Sequence, residues 1–444
     1  MKKTILFFLI FCLLPSYFAI AQKKLLQSGP MVGYSSMREV MLWVQTNAPA
    51  QIKFAYFEQG KPDTRQFTET QVTKVENLLV AQIAASTEPG LKYQYELYIN
   101  EQKIAFDYPL AFQSQALWQW RTDPPDFEFA LGSCTYINET PYDRPGKPYG
   151  GEYQIFEAIR AKKPDFMLWM GDNIYLREAD WEIASGIYKR YTHTRSTPEM
   201  QALLASTHNY AIWDDHDFGP NDSDRSYWLK DEALRAFKLF WANPGYAMEK
   251  GTASTFTWND CQFFMLDNRY FRSPQNRLTG ERAYLGDEQL TWLIDALVAS
   301  KATFKFIVVG GQVLNDHKAE WLENYDKYPE EKAKLISEIE NNQISGVIFL
   351  DGDRHHTELS KLERPGNYPL YDLTVSPLTA GPVGDRAKDE PNSYRVAGTY
   401  FGERNFGLLN VSGPRKERVL TIRIMDNAGK EIWKKDIKAS ELEK

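Results

Sequence analysis

Phe166-Met167-Leu168-Trp169-Met170-Gly171-Asp172-Asn173-Ile174-Tyr175 decides how the rest of this chain is read. Five apolar residues in succession form a strand buried on both faces, and the run breaks at a glycine followed by an aspartate. The same grammar recurs outward in both directions. Residues 127–132 run into Ser133-Cys134-Thr135, and 210–213 into Asp214-Asp215-His216-Asp217. Residues 263–266 run into Asp267-Asn268-Arg269, 306–309 into Gly310-Gly311-Gln312, and 347–350 into Asp351-Gly352-Asp353-Arg354-His355-His356. Segments with helical spacing separate these strands. Ile155, Phe156 and Ile159 form a stripe that stops before Pro164, and residues 285–299 carry Leu290, Leu293, Leu297 and Val298 on one face. Short apolar strands alternating with helices predict a layered α/β domain, whose strand C-termini share one rim where sites are built.

Upstream the grammar is different. Val40-Met41-Leu42-Trp43-Val44-Gln45-Thr46 is rich in β-formers, while Gln51-Ile52-Lys53-Phe54-Ala55-Tyr56-Phe57 and Tyr93-Gln94-Tyr95-Glu96-Leu97-Tyr98-Ile99 alternate polar and apolar residues. Period-two segments separated by Pro- and Gly-containing turns predict an antiparallel β-sandwich of about 100 residues, of immunoglobulin or fibronectin type. Its role is structural, or it binds a partner or glycan. Arg121-Thr122-Asp123-Pro124-Pro125 reads as the linker, because two prolines forbid a continuing helix or inner strand. The expected domains are therefore 22–121 and 122–444.

Residues 1–21 read as a cleavable leader. Lys2 and Lys3 precede an apolar run over 5–14, and Ala19-Ile20-Ala21 supplies the cleavage signal, placing the cut between Ala21 and Gln22. That run is too short to span a bilayer, which needs about 20 apolar residues, and no later stretch qualifies. A periplasmic or secreted product is expected, with no membrane span. Of 444 residues, 52 are Lys or Arg and 59 Asp or Glu, a net charge of -7 that excludes a general nucleic-acid or anionic-membrane binder. Nothing points to an obligate protein partner.

The strand ends gather Asp172, Asp214, Asp215, Asp217, Asp353, His216 and His355, with Cys134 and Tyr175. So many carboxylates cannot stay ionised together unless cations neutralise them. Mixed oxygen, nitrogen and thiolate or phenolate donors suit a transition metal beside a harder cation, and such a pair implies a metal-dependent hydrolase. Taken singly, each residue has a plainer explanation. An isolated Gly-Asp is usually a turn, Tyr175 could be core, and His355-His356 could be a surface pair. His193, His208 and His317 read as structural. Cys134 and Cys261 could form one disulfide in an oxidising compartment.

Gly132-Ser133-Cys134, Gly171-Asp172-x-x-Tyr175, Trp213-Asp214-Asp215-His216-Asp217, Gly286-x-x-Gln289-x-x-Trp292-Leu293 and Gly352-Asp353-x-His355, in this order, resemble the blocks of the PhoD-like alkaline phosphatase/phosphodiesterase family, within the calcineurin-like metallophosphoesterase superfamily. Met31-Val32-Gly33 and Leu42-Trp43-Val44-Gln45 resemble the family's N-terminal sandwich. The resemblance implies an α-β-β-α catalytic domain and a cluster of Fe(3+) and Ca(2+), dinuclear or larger, with other divalent metals as alternatives. It makes Cys134 a thiolate ligand, which excludes a disulfide with Cys261, and Asp172 the bridge between metals. Tyr175 becomes a phenolate on iron, with purple colour, and His355 completes the iron site. Asp215 and Asp353 hold the harder metal, with Asp214 in place of Asp215 if the register differs.

The expected function is hydrolysis of phosphate monoesters, diesters or both by a metal-activated hydroxide. His216 is expected to stabilise the phosphoryl oxygens or protonate the leaving group, with Asp217 holding its ring. Arg269 is a phosphate clamp or, alternatively, a structural partner of Asp267. Asn221 and Gln312 are further substrate or metal contacts. Residues 318–334 are expected to form a lid or rim helix, and the short run after residue 433 suggests an open cleft that admits diesters. A related secreted phospholipase D-like or nuclease-type phosphodiesterase is the nearest alternative. A non-catalytic calcium-dependent binding protein is the more distant one. No G-x-S-x-G elbow and no phosphate-binding P-loop appear in the sequence.

Overall fold

The computed structural model describes residues 25–443, so the expected leader 1–21 and its cleavage point lie outside the described residues. The chain forms two compact units: residues 25–117 with Arg195–His208, and Trp118–Thr194 with residues 209–443.

In the first unit, Leu26–Ser35, Glu39–Thr46 and Val80–Ser86 pair antiparallel. Gln51–Glu58 pairs with Lys92–Ile99, flanked by the short strands Gln66–Phe67, Gln71–Val72, Gln102–Lys103 and Ala111–Gln113. The alternation works as expected in Lys92–Ile99: Tyr93, Tyr95, Leu97 and Ile99 are buried while Lys92 and Gln94 face out. These side chains share one core with Val40, Leu42, Ile52 and Phe54, so two sheets bury a common interior. The helix Pro198–Leu204 packs against Leu26–Ser35, although it lies far along the chain.

In the second unit, one sheet carries in order Glu431–Lys438, Val419–Asp426, Asn405–Ser412, Phe127–Gly132, Phe166–Met170 and His208–Ile212. The other has six strands, ordered Ser254–Trp258, Cys261–Met265, Phe304–Val308, Val347–Asp351, Leu370–Thr374, Glu358–Leu362. Its four central strands are parallel and its two outer strands antiparallel. The sheets face each other across an aromatic interior. Phe129 and Phe166 each meet Phe263 edge-on at 5.3 Å, and Tyr210 stacks on Phe256 at 3.7 Å. Trp169, on the opposite face of its strand from Phe166, meets Phe156 of the helix Ile155–Lys162. A helix therefore covers the outer face of this sheet.

Two helices depart from expectation. The one read over 285–299 starts at Asp287, because Gly286 holds a left-handed backbone (φ 84°) as its N-cap. Leu290, Leu293 and Leu297 are buried, but Val298 is 49% exposed, since one residue past Leu297 rotates it about 100° off the stripe. Residues 318–334 are not a single helix. They comprise an irregular run, a 3-10 turn at Tyr325–Lys327 and the start of the helix Pro329–Asn341.

Candidate metal centre

Phe127–Gly132 and Phe166–Met170 stop at the expected residue and the other four central strands within one residue of it, and the loops that follow turn sharply. Cys134, Asp172, Asp353 and His355 all have left-handed backbone, with φ of 60°, 52°, 67° and 54°. Non-glycine residues rarely adopt this conformation, and strain of this kind clusters at functional sites. It turns four donor side chains towards one another. Close approach is secured by Gly310, where a Cβ would lie 2.4 Å from Cγ of Asp214.

The donors form overlapping groups. Cys134, Asp172 and His355 offer ligand atoms within 4.8 Å of one another, as do Asp172, Asp215 and His216, then Asp214, Asp215 and Asp353. The thiol of Cys134 lies 3.6 Å from Oδ2 of Asp172. The Tyr175 hydroxyl sits 3.0 Å from the same oxygen and 3.2 Å from Nε2 of His355. Nδ1 of His355 is 2.6 Å from the Gly381 carbonyl, a contact that places the proton on Nδ1 and leaves the Nε2 lone pair for the cluster. Ser376 ties the two together: its hydroxyl lies 3.1 Å from the Cys134 sulfur and accepts the His355 backbone N–H at 2.9 Å.

The electrostatics call for cations. Burial, then Asp215 and Cys134, pushes Asp172 well above the carboxylate range. Burial, followed by Asp214, Glu323 and Asp215, pushes Asp353 up to about 8, and burial takes the Cys134 thiol to about 12. Asp215 stays low despite its burial because His216 and Arg269 lie beside it. Oδ2 of Asp214 and Oδ1 of Asp215 are buried without a hydrogen-bond partner. Orphaned carboxylate oxygens beside protonated acids fit cations that displace those protons. The donor chemistry divides in two: sulfur, phenol and imidazole around Asp172 suit a transition metal, and the carboxylates of Asp215 and Asp353 suit a harder ion.

The remaining expected residues fare differently. His216 and Asn221 line an open cavity of about 900 Å³ together with Asp172, Asp215, Asp353 and His355. Asp217 does not hold the His216 ring. Its carboxylate accepts the backbone N–H of Asn173 and of Asp214, each at 3.1 Å, and the Asn173 side chain. It thereby forms the capping box of the short helix Asp215–Phe218. Arg269 is no phosphate clamp, since its guanidinium is fully buried and bonded to Asp214 and, at 3.0 and 3.1 Å, to Glu323. Nor does it pair with Asp267 through its side chain; Asp267 accepts its backbone N–H at 2.8 Å. Gln312 is likewise committed, giving its amide to Glu358 and Thr374 and accepting from Asn315 and Arg354. Both cysteines are free, which removes the disulfide reading.

Three contributors escaped the sequence reading. Glu323 and Asp222 form a further group with Asp215, their ligand atoms within 4.8 Å. Tyr149 reaches Nδ1 of His355 at 3.2 Å. None of the three follows a strand end, which was the signal that located the others.

Two mixed sheets packed face to face, with acidic loops at one rim, define a metallophosphoesterase-like fold. The model of the PhoD-like phosphatases matches residues 129–412, more than half of the chain, and the chain belongs to that family. It is similar to alkaline phosphatase D of Bacillus subtilis (strain 168), with 23% identity over 292 residues. That match covers 54% of this chain and 47% of the relative, so the chain spans about half the length of the curated protein it matches. A solved structure of PhoD superposes with a TM-score of 0.75 at 17% identity, covering 94% of this chain and 89% of the other. The purple acid phosphatase PPD1 from yellow lupin (Lupinus luteus) seeds gives 0.65 at 10% identity, with 93% and 74% covered. At these identities the likeness is one of fold.

Proposed function

We propose that this chain is a secreted metal-dependent phosphoesterase acting on phosphate monoesters, diesters or both. The observation that carries the reading is the convergence of Cys134, Asp172, Tyr175, Asp215, Asp353 and His355 from four separate segments of the sequence into one cluster, of which Asp172, Asp215, Asp353 and His355 line the main cavity. In this reading Cys134, Asp172, Tyr175 and His355 hold a ferric ion, and Asp172, Asp215 and Asp353 hold calcium or another divalent ion. When bound, these cations supply positive charge for the phosphoryl oxygens and acidify a water. The first unit is read as an immunoglobulin- or fibronectin-type sandwich over 22–121, and 122–444 as the catalytic domain.

The chain's own residues do the rest. With Arg269 committed to Asp214 and Glu323, anion attraction passes to Lys147, Arg386 and Arg404 on the cavity wall. Burial holds His216 below the ordinary histidine range, against the pull of Asp215. At neutral pH it is therefore a neutral ring that donates an N–H to charge building on the leaving oxygen. The water oxygen bonds to phosphorus, the bond to the leaving oxygen breaks, and the proton shed by the water ends on the leaving group. Asn221, on the cavity wall, is read as a contact to a phosphoryl oxygen.

The test is turnover of p-nitrophenyl phosphate and bis-p-nitrophenyl phosphate by the purified full chain, with and without a chelator. Hydrolysis that the chelator abolishes supports the reading. Inactivity towards both esters with metal bound would overturn it, and activity on the monoester alone would remove the diesterase part.

A further inference from the structure

A second, more enclosed cavity of about 270 Å³ lies beside the main one and shares Lys147, Tyr149, His216 and Asn221 with it. Its character is different. The metal-site carboxylates do not line it; its own walls include Tyr136, Tyr175, Leu176 and Trp181. Asp143 and Arg177 on its lining are already partnered, whereas the buried indole N–H of Trp181 has no hydrogen-bond partner. Asp143 accepts from the Tyr136 hydroxyl at 2.8 Å, from Nε of Arg177 at 2.9 Å and from the Glu139 N–H. The Arg177 guanidinium is buried, lies 3.8 Å from the Tyr136 ring centre and donates to the Ile137 carbonyl. What remains for a guest is mostly aromatic and aliphatic carbon with the single indole N–H of Trp181, and the exposed Arg144 and Lys147 also on the lining. The volume falls below the roughly 300–1,000 Å³ of drug-sized pockets, leaving room for one ring-sized group.

We propose that this side pocket is the leaving-group subsite, and that it selects phosphate esters whose leaving group carries a flat aromatic or other apolar ring. The proposal rests on the phosphoesterase reading and adds a substrate class to it. His216 links the two cavities: the phosphoryl group occupies the acidic cavity, the leaving oxygen meets His216, and the ring behind that oxygen enters the pocket. A flat apolar wall of this kind binds rings by burying carbon and by offset stacking.

Binding of phenylphosphonate and methylphosphonate, which carry no hydrolysable ester, tests the subsite apart from turnover. Titration calorimetry on the metal-loaded full chain reads the affinity, with Trp181→Ala and Leu176→Ala as independent wall variants. The wild type is expected to prefer phenylphosphonate. Each variant is expected to weaken it about tenfold or more, the usual scale for lost apolar pocket contacts, with methylphosphonate unchanged and Trp181→Phe retaining the preference. Equal affinity of the wild type for both ligands, or equal losses for both in the variants, would overturn the subsite. A wild type that binds phenylphosphonate preferentially yet hydrolyses no phosphate ester would preserve the pocket and remove the phosphoesterase reading.

Discussion

Asp214 and Arg269 show what a buried pair does beside a metal centre. Arg269 has no exposed surface, and it joins Asp214 to Glu323 while lying 3.6 Å from Asp215. Breaking such a pair leaves buried charges uncompensated, at a cost of about 3–5 kcal/mol. Arg269→Met is therefore expected to lower stability by about that amount in urea unfolding; an unchanged midpoint would show that the three carboxylates do not depend on it. Asp172→Ala and His216→Ala separate binding from turnover. The first is expected to abolish metal loading. The second should spare loading and reduce turnover about 100-fold or more, the usual scale for losing one hydrogen-bond donor to developing charge. Equal metal loss in both, by elemental analysis, would contradict the separate roles. At this scale the sequence showed which residue types gather at strand ends. It did not show Arg269 turning inward, because a guanidinium suited to phosphate is equally suited to the carboxylates of Asp214 and Glu323.

Among the elements, the strand-end loops were the most legible part. Apolar runs announce where a strand stops, so Phe127–Gly132 and Phe166–Met170 fall where the sequence placed them, and the metal-ligand candidates follow directly. Residues 318–334 were not legible. Their mixture of Glu, Lys, Trp and Tyr suits a helix surface or a loop, and only the packing of the finished fold brings Glu323 against Arg269. Close backbone approach leaves one testable mark. An alanine at position 310 would place its Cβ 2.4 Å from Cγ of Asp214 and within 2.7 Å of both carboxylate oxygens. Asn268, at 2.8 Å, and Arg269 hold that carboxylate in place. Gly310→Ala is expected to cost about 1–3 kcal/mol and to reduce metal loading. A variant with wild-type melting temperature and metal content would show that the loop yields freely.

Across the whole molecule, the second unit concentrates protonated acids that its own fold creates. Asp172 and Asp353 are raised above their unfolded values, the latter to about 8, and Asp222 is raised to about 7. These acids hold more protons in the metal-free native state than in the unfolded chain, so their contribution to stability is lost as pH rises towards 8. The buried histidines His208, His216, His355 and His356, held below their ordinary range, act in the opposite sense below about pH 6.5. Asp215 and Glu323 are shifted down and act in the opposite sense, below their ordinary carboxylate range. Thermal melts of chelated protein are expected to fall between about pH 6.5 and 8, with added cation restoring more stability at pH 8 than at pH 6.5; parallel curves would contradict this. At this scale the change of grammar near residues 121–125 was visible, whereas the membership of Arg195–His208 in the first unit was not. Only the packing of Pro198–Leu204 on Leu26–Ser35 reveals it, and no local pattern encodes a contact so distant in sequence. The central claim is that loops far apart in sequence close around bound cations. Elemental analysis and a visible absorption spectrum of the purified full chain, beside Tyr175→Phe, test it most directly. The account predicts retained iron with a second metal and a visible band that the Tyr175→Phe variant loses. A colourless wild type that retains no metal after exposure to iron and calcium would contradict it.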